Sequence, residues 1–316
     1  MLTRRLPNTD LDLSVIGMGC WAMGSLWWGD DVTEARSAAA VDKALESGIN
    51  WFDTAPLYGH GHADEVLVRA LGKRKHDVII ATKVGVRWDG EGQHARSALT
   101  RDWIRQDVDA SLQRLGLERI DLLQVHWPCE LDTPLAESMG ELARLRDEGK
   151  IRHVGLCNYD VAGLREARQY VPIASLQTPY SMLRREFEQE LAPYCQREQL
   201  GVLAYEPLCR GLLTGKFAAN KRFPESDLRA RDDRFQGSRF LRALTIVSRL
   251  DLIARRKKVP VAALALGWAI RQPTMTAVIA GAKGPEQVAE HVKTLEILTD
   301  EPLWQEVDRV VAAYRG

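Results

Sequence analysis

Apolar runs of five to seven residues recur along this chain, and each is followed by a stretch whose apolar residues return every three or four positions. The runs fall at 15–19, 50–55, 78–84, 120–126, 151–157, 175–180, 201–206 and 276–281. Short, nearly continuous aliphatic runs of this kind are expected of strands buried on both faces. Amphipathic stretches lie near 33–48, 62–72, 100–116, 134–149, 160–170, 186–199 and 260–272, with one more at 285–297 after the last strand. The clearest, T-R-D-W-I-R-Q-D-V-D-A-S-L-Q-R-L-G, opens on Thr100 and closes on Gly116, a capping residue and a helix-ending glycine. Residues 3–15 hold two short alternating runs around P-N-T-D, which predicts a small β-hairpin. Eight strands each followed by a helix predict the α/β class and favour a (β/α)8 TIM barrel with an N-terminal β-hairpin. Periodicity alone leaves an open doubly wound sheet as the alternative. Residues 1–316 show no linker or solenoid repeat, so one barrel domain is expected. One long irregular stretch, about 209–240, follows strand seven, and loops of that length are usually functional.

The strand ends carry the candidate chemistry. Asp53 lies near the end of I-N-W-F-D-T-A, Lys83 near that of V-I-I-A-T-K-V, and His126 near that of I-D-L-L-Q-V-H-W. Tyr58 follows Asp53 in a glycine-flanked loop. Singly, each has an ordinary reading: a helix cap, a solvated lysine, a histidine satisfying a local carbonyl. In a barrel the active site lies at the C-terminal strand ends, and these four fall there on strands two, three and four. A free tyrosine, with pKa about 10, is a poor proton shuttle at neutrality. A neighbouring ammonium is expected to lower that value, with Asp53 orienting Lys83 and His126 donating to a substrate oxygen. Such a phenol suits protonation of a carbonyl oxygen as it becomes an alkoxide.

Composition narrows the setting. Lysine plus arginine and aspartate plus glutamate are 43 each, which gives no electrostatic footprint for nucleic acid or an anionic membrane. Five unpaired cysteines suit a reducing cytoplasm. The N-terminus has no signal-like apolar core, and the longest apolar stretch, 259–270, is too short to span a bilayer. No metal site is expected. Four of the nine tryptophans, Trp27, Trp28, Trp88 and Trp127, fall in loops at the active end and are candidate substrate walls. Gly17-Met-Gly19-Cys-Trp-Ala mimics a dinucleotide fingerprint, but no helix follows at once, so it reads as a barrel loop.

The segment G-I-N-W-F-D-T-A-P-L-Y-G-H-G resembles the signature of the aldo-keto reductases. So do A-T-K-V-G, D-L-L-Q-V-H-W-P, I-R-H-V-G-L-C-N-Y, L-Q-T-P-Y-S, A-Y-E-P-L-C-R-G-L-L-T-G-K-F and I-A-G-A-K-G-P-E-Q-V-A-E-H, in the family's order. W-W-G-D-D at 27–31 and the long 209–240 loop look like the bacterial subgroup of sugar and polyol oxidoreductases. The resemblance implies NAD(P)H-dependent reduction of a small carbonyl, reversible to alcohol or polyol oxidation. It places the proton donor at Tyr58, its tuning pair at Lys83 and Asp53, and the orienting group at His126. Asn158 and Gln177 are implied as nicotinamide carboxamide ligands and Tyr205 as the stacking aromatic. Trp21 and Asp53 border the cofactor, and Pro207, Leu208, Arg210, Gly211 and Lys216 meet the pyrophosphate. Gly281, Lys283, Gln287 and Glu290 match the adenosine end. NADPH is expected, with NADH as the alternative, because Lys283 can replace an arginine that some members carry at position 287. Three residues depart from the family pattern: Cys157 and Glu206 stand where serine is usual, and His291 where asparagine is usual. Two rivals remain: a Schiff-base lyase using Lys83, and a cofactor-sensing regulatory subunit like the potassium-channel β subunits, which typically lack the histidine present here as His126.

Overall fold

The aliphatic runs pair in parallel until the sheet meets itself. A computed structural model of the chain describes residues 1–25, 28, 32–88 and 95–314. The hairpin comes first, β1 (Thr3–Arg5) against β2 (Asp12–Ser14), and then the first barrel strand, β3 (Ile16–Gly19). The remaining barrel strands are β4 (Trp51–Asp53), β5 (Ile79–Val84), β8 (Ile120–Val125), β9 (Ile151–Cys157), β10 (Ile173–Pro179), β11 (Gly201–Tyr205) and β12 (Ala277–Gly281). They close as a parallel barrel, with β12 returning to β3 through Val278 opposite Ile16. A small rim hairpin, β6 (Val86–Trp88) with β7 (Ala95–Ser97), interrupts the sequence after β5.

The lower barrel is filled by one large ring. Trp51 is fully buried among Leu6, Leu11, Leu13, Ala81, Leu122 and Leu203, and its indole N–H donates to the Ser14 carbonyl at 2.8 Å. The N-terminal hairpin supplies three of those leucines, so it stoppers the barrel. Gly17 is required opposite the indole, because a Cβ there would lie 2.1 Å from a Trp51 ring carbon. With the lower half packed, the barrel opens at its C-terminal strand ends.

The helices are α1 (Glu34–Glu46), α2 (His62–Leu71), α3 (Arg101–Leu115), α4 (Leu135–Asp147), α5 (Val161–Ala167), α6 (Leu191–Arg197), α7 (Gly237–Lys257), α8 (Val261–Ile270), α9 (Pro285–Val292) and α10 (Glu301–Ala312). Thr33, Thr100, Asp160 and Asp300 cap four of them through side-chain oxygens. Every residue of α8 is buried, as its unbroken apolar sequence demands.

The structure departs from the sequence expectation in five places. The stretch 209–240 is irregular only to Gln236, where the 21-residue α7 begins. α10 and the rim hairpin were not expected. The helix expected over 186–199 is a 3-10 turn at Glu186–Glu188 followed by α6, and the one over 285–297 ends at Val292 and continues as a 3-10 turn. All five cysteines are free, and among the described residues no helix is long and apolar enough to cross a membrane.

Candidate active site

Three adjacent strand ends and one loop meet on the upper rim. Asp53 ends β4, Lys83 sits in the last turn of the ladder in β5 opposite Gln124, and His126 directly follows β8. The His126 N–H donates to the Val84 carbonyl at 3.0 Å, which fixes its start. Tyr58 comes from the loop after β4. That loop can turn because Gly59 adopts φ +64° and lies against Gly24; a Cβ on Gly24 would stand 2.7 Å from the Gly59 nitrogen.

Lys83 organises the group. Its ammonium, on a residue 1% exposed, donates to Asp53 Oδ1 at 2.5 Å, the Thr54 carbonyl at 3.0 Å and the Tyr58 hydroxyl at 3.2 Å. Three acceptors fill the donor capacity of an ammonium. The other Asp53 oxygen accepts from Gln177 Nε2 at 2.8 Å and Gln124 Nε2 at 3.2 Å. Burial pushes the Lys83 pKa down, but Asp53 and Tyr58 more than offset it, and the net shift is upward. Lys83 is therefore a standing cation with no free lone pair, and the Schiff-base reading fails.

The expected direction for Tyr58 needs correcting. Lys83 does draw its pKa down, but burial is the larger effect and the net shift is upward. Tyr58 is a phenol around neutrality: its oxygen accepts from Lys83, and its own O–H remains to be donated. Burial, and then Lys83, pushes His126 well below the ordinary histidine range, so it is a neutral imidazole with one N–H. The two rings stand edge to face with centroids 6.0 Å apart. Two neutral donors with a cation behind them form a site that stabilises negative charge developing on an oxygen.

A groove of about 550 Å³ runs from this floor across the ends of β11 and β12 to the start of α9. Its lining includes Trp21, Asn158, Gln177, Tyr205, Pro207, Leu208, Arg210, Gly211, Lys216, Gly281, Lys283, Gln287 and Glu290, so the structure brings the expected cofactor residues to one surface. Asn158 takes φ +63°, its amide donates to the His126 carbonyl at 3.0 Å, and its oxygen accepts from the Tyr205 hydroxyl at 2.8 Å. The Gln287 oxygen accepts from the Lys283 N–H at 2.7 Å, while the Lys283 ammonium donates to the Trp28 carbonyl.

The departures from the family pattern have local explanations. Glu206, at φ +52°, accepts from Arg210 and Arg234 at 2.6 Å each, and Asp232 accepts from the same two arginines. Burial raises the Glu206 pKa, but Arg210 and Arg234 reverse the effect, and the carboxylate stays ionised. His291 is buried beside Lys216, and burial with that cation pushes its pKa down to about 4. Cys157 is buried near Lys83, and burial pushes its thiol up.

Of the expected substrate walls, Trp28 and Trp127 line the groove, and Trp127 stacks on His126 at 4.0 Å. Trp88 does not line it; on the rim hairpin it stacks on His60, with ring centroids 5.0 Å apart. Trp27 lies outside the described residues. Sequence reading missed Gln124, whose signal was a polar residue between Leu123 and Val125, and Arg229, whose guanidinium lies 5.6 Å from the Trp28 ring at the groove edge. No group of histidine, cysteine or acidic side chains among the described residues could hold a metal ion.

The sequence profile of the aldo/keto reductase family matches residues 15–312. The chain belongs to that family. A solved glycerol dehydrogenase from Gluconobacter oxydans superimposes with a TM-score of 0.89 at 35% identity, covering 98% of this chain and 95% of that one. The aldo-keto reductase YhdN of Bacillus subtilis is 37% identical over 90% of this chain and 85% of its own length. The NADH-specific methylglyoxal reductase of Escherichia coli is 34% identical over 92% and 93%. The protein is thus an NAD(P)H-dependent oxidoreductase of the carbonyl-reducing class on a TIM barrel.

Proposed function

We propose that this enzyme reduces small aldehydes and ketones, sugar- and polyol-type carbonyls among them, with Tyr58 as proton donor and NADPH as preferred cofactor. The observation that carries the proposal is the Lys83 ammonium, whose three hydrogen bonds end on Asp53, Thr54 and Tyr58 at the floor of the groove. The residues present fit a nicotinamide dinucleotide. The tethered Tyr205 ring offers a flat wall near the tetrad. At the far end α9 starts at Pro285, and its N-cap, Gly284, makes no side-chain cap, so the helix start beside Lys283 suits a phosphate. A nicotinamide cofactor seated there supplies the hydride.

The residues of the chain handle the oxygen. As the carbonyl carbon is reduced its oxygen becomes an alkoxide, a base strong enough to take the proton even from a phenol of raised pKa. Tyr58 gives up its hydroxyl proton to that oxygen. Lys83 at 3.2 Å stabilises the phenolate left behind, and Asp53 keeps Lys83 in place. His126, neutral, donates a hydrogen bond to the same oxygen and orients the carbonyl. Trp21, Trp28 and Trp127 supply apolar walls that suit small carbonyls and the apolar faces of sugars.

Support for NADPH comes from Lys283, a cation at the uncapped start of α9 where a 2′-phosphate would gain both charge and N–H donors. Glu286 and Glu290 line the same end and favour a ribose 2′-hydroxyl, which keeps NADH as the second reading. The names of relatives point both ways: one is NADH-specific, and another, from Schizosaccharomyces pombe at 29% identity over 96% of this chain and 90% of its own length, carries NADP(+). A panel of aldehydes, ketones and polyols, followed by nicotinamide absorbance with both cofactors, tests the reading. Tyr58→Phe should lose at least about a hundredfold in turnover and keep its NADPH dissociation constant; turnover close to wild type would sink the assignment of Tyr58. Equal catalytic efficiency with NADH and NADPH would remove the selecting role given to Lys283.

A further inference from the structure

Behind the tetrad lies a second buried ionic group that the reaction above does not use. Asp64, in the first turn of α2, is fully buried. One of its oxygens accepts from the Thr54 hydroxyl at 2.7 Å and the other from Arg114 Nε at 3.2 Å. Arg114 sits in the last turn of α3. Two turns earlier on the same helix face, the buried Asp107 accepts from the Gly85 N–H at 3.0 Å, two residues beyond Lys83. Burial pushes both carboxyls up, Asp107 to about 7, while Arg114 pulls both back. A buried acid–arginine pair with a second buried carboxyl nearby is costly compared with apolar packing.

The hydrogen bonds run toward Lys83. All three acceptors of its ammonium lie in the segment 53–58. The middle one, the Thr54 carbonyl, belongs to a residue held twice: its N–H donates to the Ala81 carbonyl at 2.9 Å and its hydroxyl donates to Asp64. The far end of the Tyr58 loop meets the same pair. Gly61, at φ +90°, lies against Arg114 so closely that a Cβ would stand 2.8 Å from its Cδ. One ion pair between α2 and α3 thus braces both ends of the loop that presents Tyr58.

We infer that Asp64, held by Arg114, is a positioning residue for the reaction. Through the Thr54 hydroxyl it keeps the Thr54 carbonyl on Lys83, and thereby sets the Lys83–Tyr58 contact. This role rests on the proton-transfer reading of Tyr58 proposed above. Asp64 touches neither substrate nor cofactor; it acts on the cation that acts on the phenol.

The test compares Thr54→Val, Thr54→Ser and Asp64→Asn with the wild-type protein. Thr54→Val removes the hydroxyl but leaves the carbonyl and the Asp64–Arg114 pair, so it carries the test even where Asp64→Asn does not fold. We expect Thr54→Val and Asp64→Asn each to lower kcat about tenfold, with NADPH and NADH dissociation constants, read by fluorescence titration, unchanged within about twofold. The alkaline limb of the kcat profile, set by loss of the Tyr58 proton, should move to higher pH, because a phenol whose ammonium partner is loosened holds its proton more tightly. Thr54→Ser should recover most of the loss, and the Thr54→Val/Asp64→Asn double variant should be no slower than the slower single one. The inference is overturned if Thr54→Val turns over like wild type. It is equally overturned if kcat falls with the alkaline limb unmoved and Thr54→Ser no better than valine, the pattern of a merely structural contact. Failure of the underlying mechanism is distinguishable: there Tyr58→Phe would itself remain active.

Discussion

Replacing Lys83 by methionine separates the charge from the volume of this side chain. The ammonium lies 3.2 Å from the Tyr58 oxygen. At an effective dielectric constant near 20, unit charges at that distance attract by about 5 kcal/mol. About 1.4 kcal/mol is a factor of ten in rate, so the gross effect on forming the phenolate spans three to four decades. Tyr58 borders the open groove, where water screens part of this, and a loss of about a thousandfold in the chemical step is the expectation. A second consequence falls on stability. Asp53 would keep only its bonds from Gln124 and Gln177, leaving a buried carboxylate without a cation, which costs about 3–5 kcal/mol. Asp53→Asn/Lys83→Met removes both charges and should regain most of that stability without regaining the rate. Single-turnover reduction measured beside thermal unfolding reads both quantities. If Lys83→Met stays within tenfold of wild type, or if the double variant recovers rate along with stability, the account of Lys83 as electrostatic partner of Tyr58 is wrong.

Other expectations follow from single contacts. Gly17→Ala puts a methyl group 2.1 Å from a carbon of the Trp51 ring inside the packed lower barrel and should cost about 1–3 kcal/mol in chemical denaturation, with the alanine's effect reduced in a Trp51→Phe background; an unchanged midpoint would mean that the barrel floor yields. His291 is buried neutral with its pKa near 4, against about 6.5 in the unfolded chain, so the unfolded state gains protons first as pH falls. The stability it shares in is complete above pH 6.5 and lost on acidification, by about 2 kcal/mol at pH 5. His291→Asn should therefore lose less melting temperature between pH 7 and pH 5 than the wild-type protein does, and parallel pH dependences would refute the shift.

Much of the barrel was legible because strands buried on both faces announce themselves as unbroken aliphatic runs, and all eight lie where the runs lie. The four tetrad residues were legible for a related reason. A lysine or histidine at the end of such a run has nowhere to go but the rim. α7 and α10 carried the same kind of signal, with Phe240, Ala243, Val247, Leu250 and Ala254 at helical spacing and Leu303, Trp304, Val307 and Val311 likewise, but both lie outside the strand–helix alternation. The rim hairpin was not read, because it interrupts the strand–helix alternation between β5 and α3. The direction of the Tyr58 shift also escaped, because sequence names the charged neighbour but not how much solvent is excluded. Gln124 and Asp64 illustrate the same limit: their roles depend on which groups across the barrel they face.

The barrel closes where the chain began. β12 pairs with β3, and Arg4 in the hairpin donates to the carbonyls of Ile270 and Met275. A ribosome delivers these partners at opposite ends of its work. At about 5–20 residues per second, the free edge of β3 and the stopper beneath Trp51 wait on the order of tens of seconds for residues 277–281 to emerge. Through that interval the nascent chain carries an unpaired parallel edge, the feature most prone to joining a neighbour. Sheltering that edge during synthesis is expected to raise the yield of folded protein, and expression at slower growth or with added chaperone, read as soluble yield, checks it; an unchanged yield would refute it.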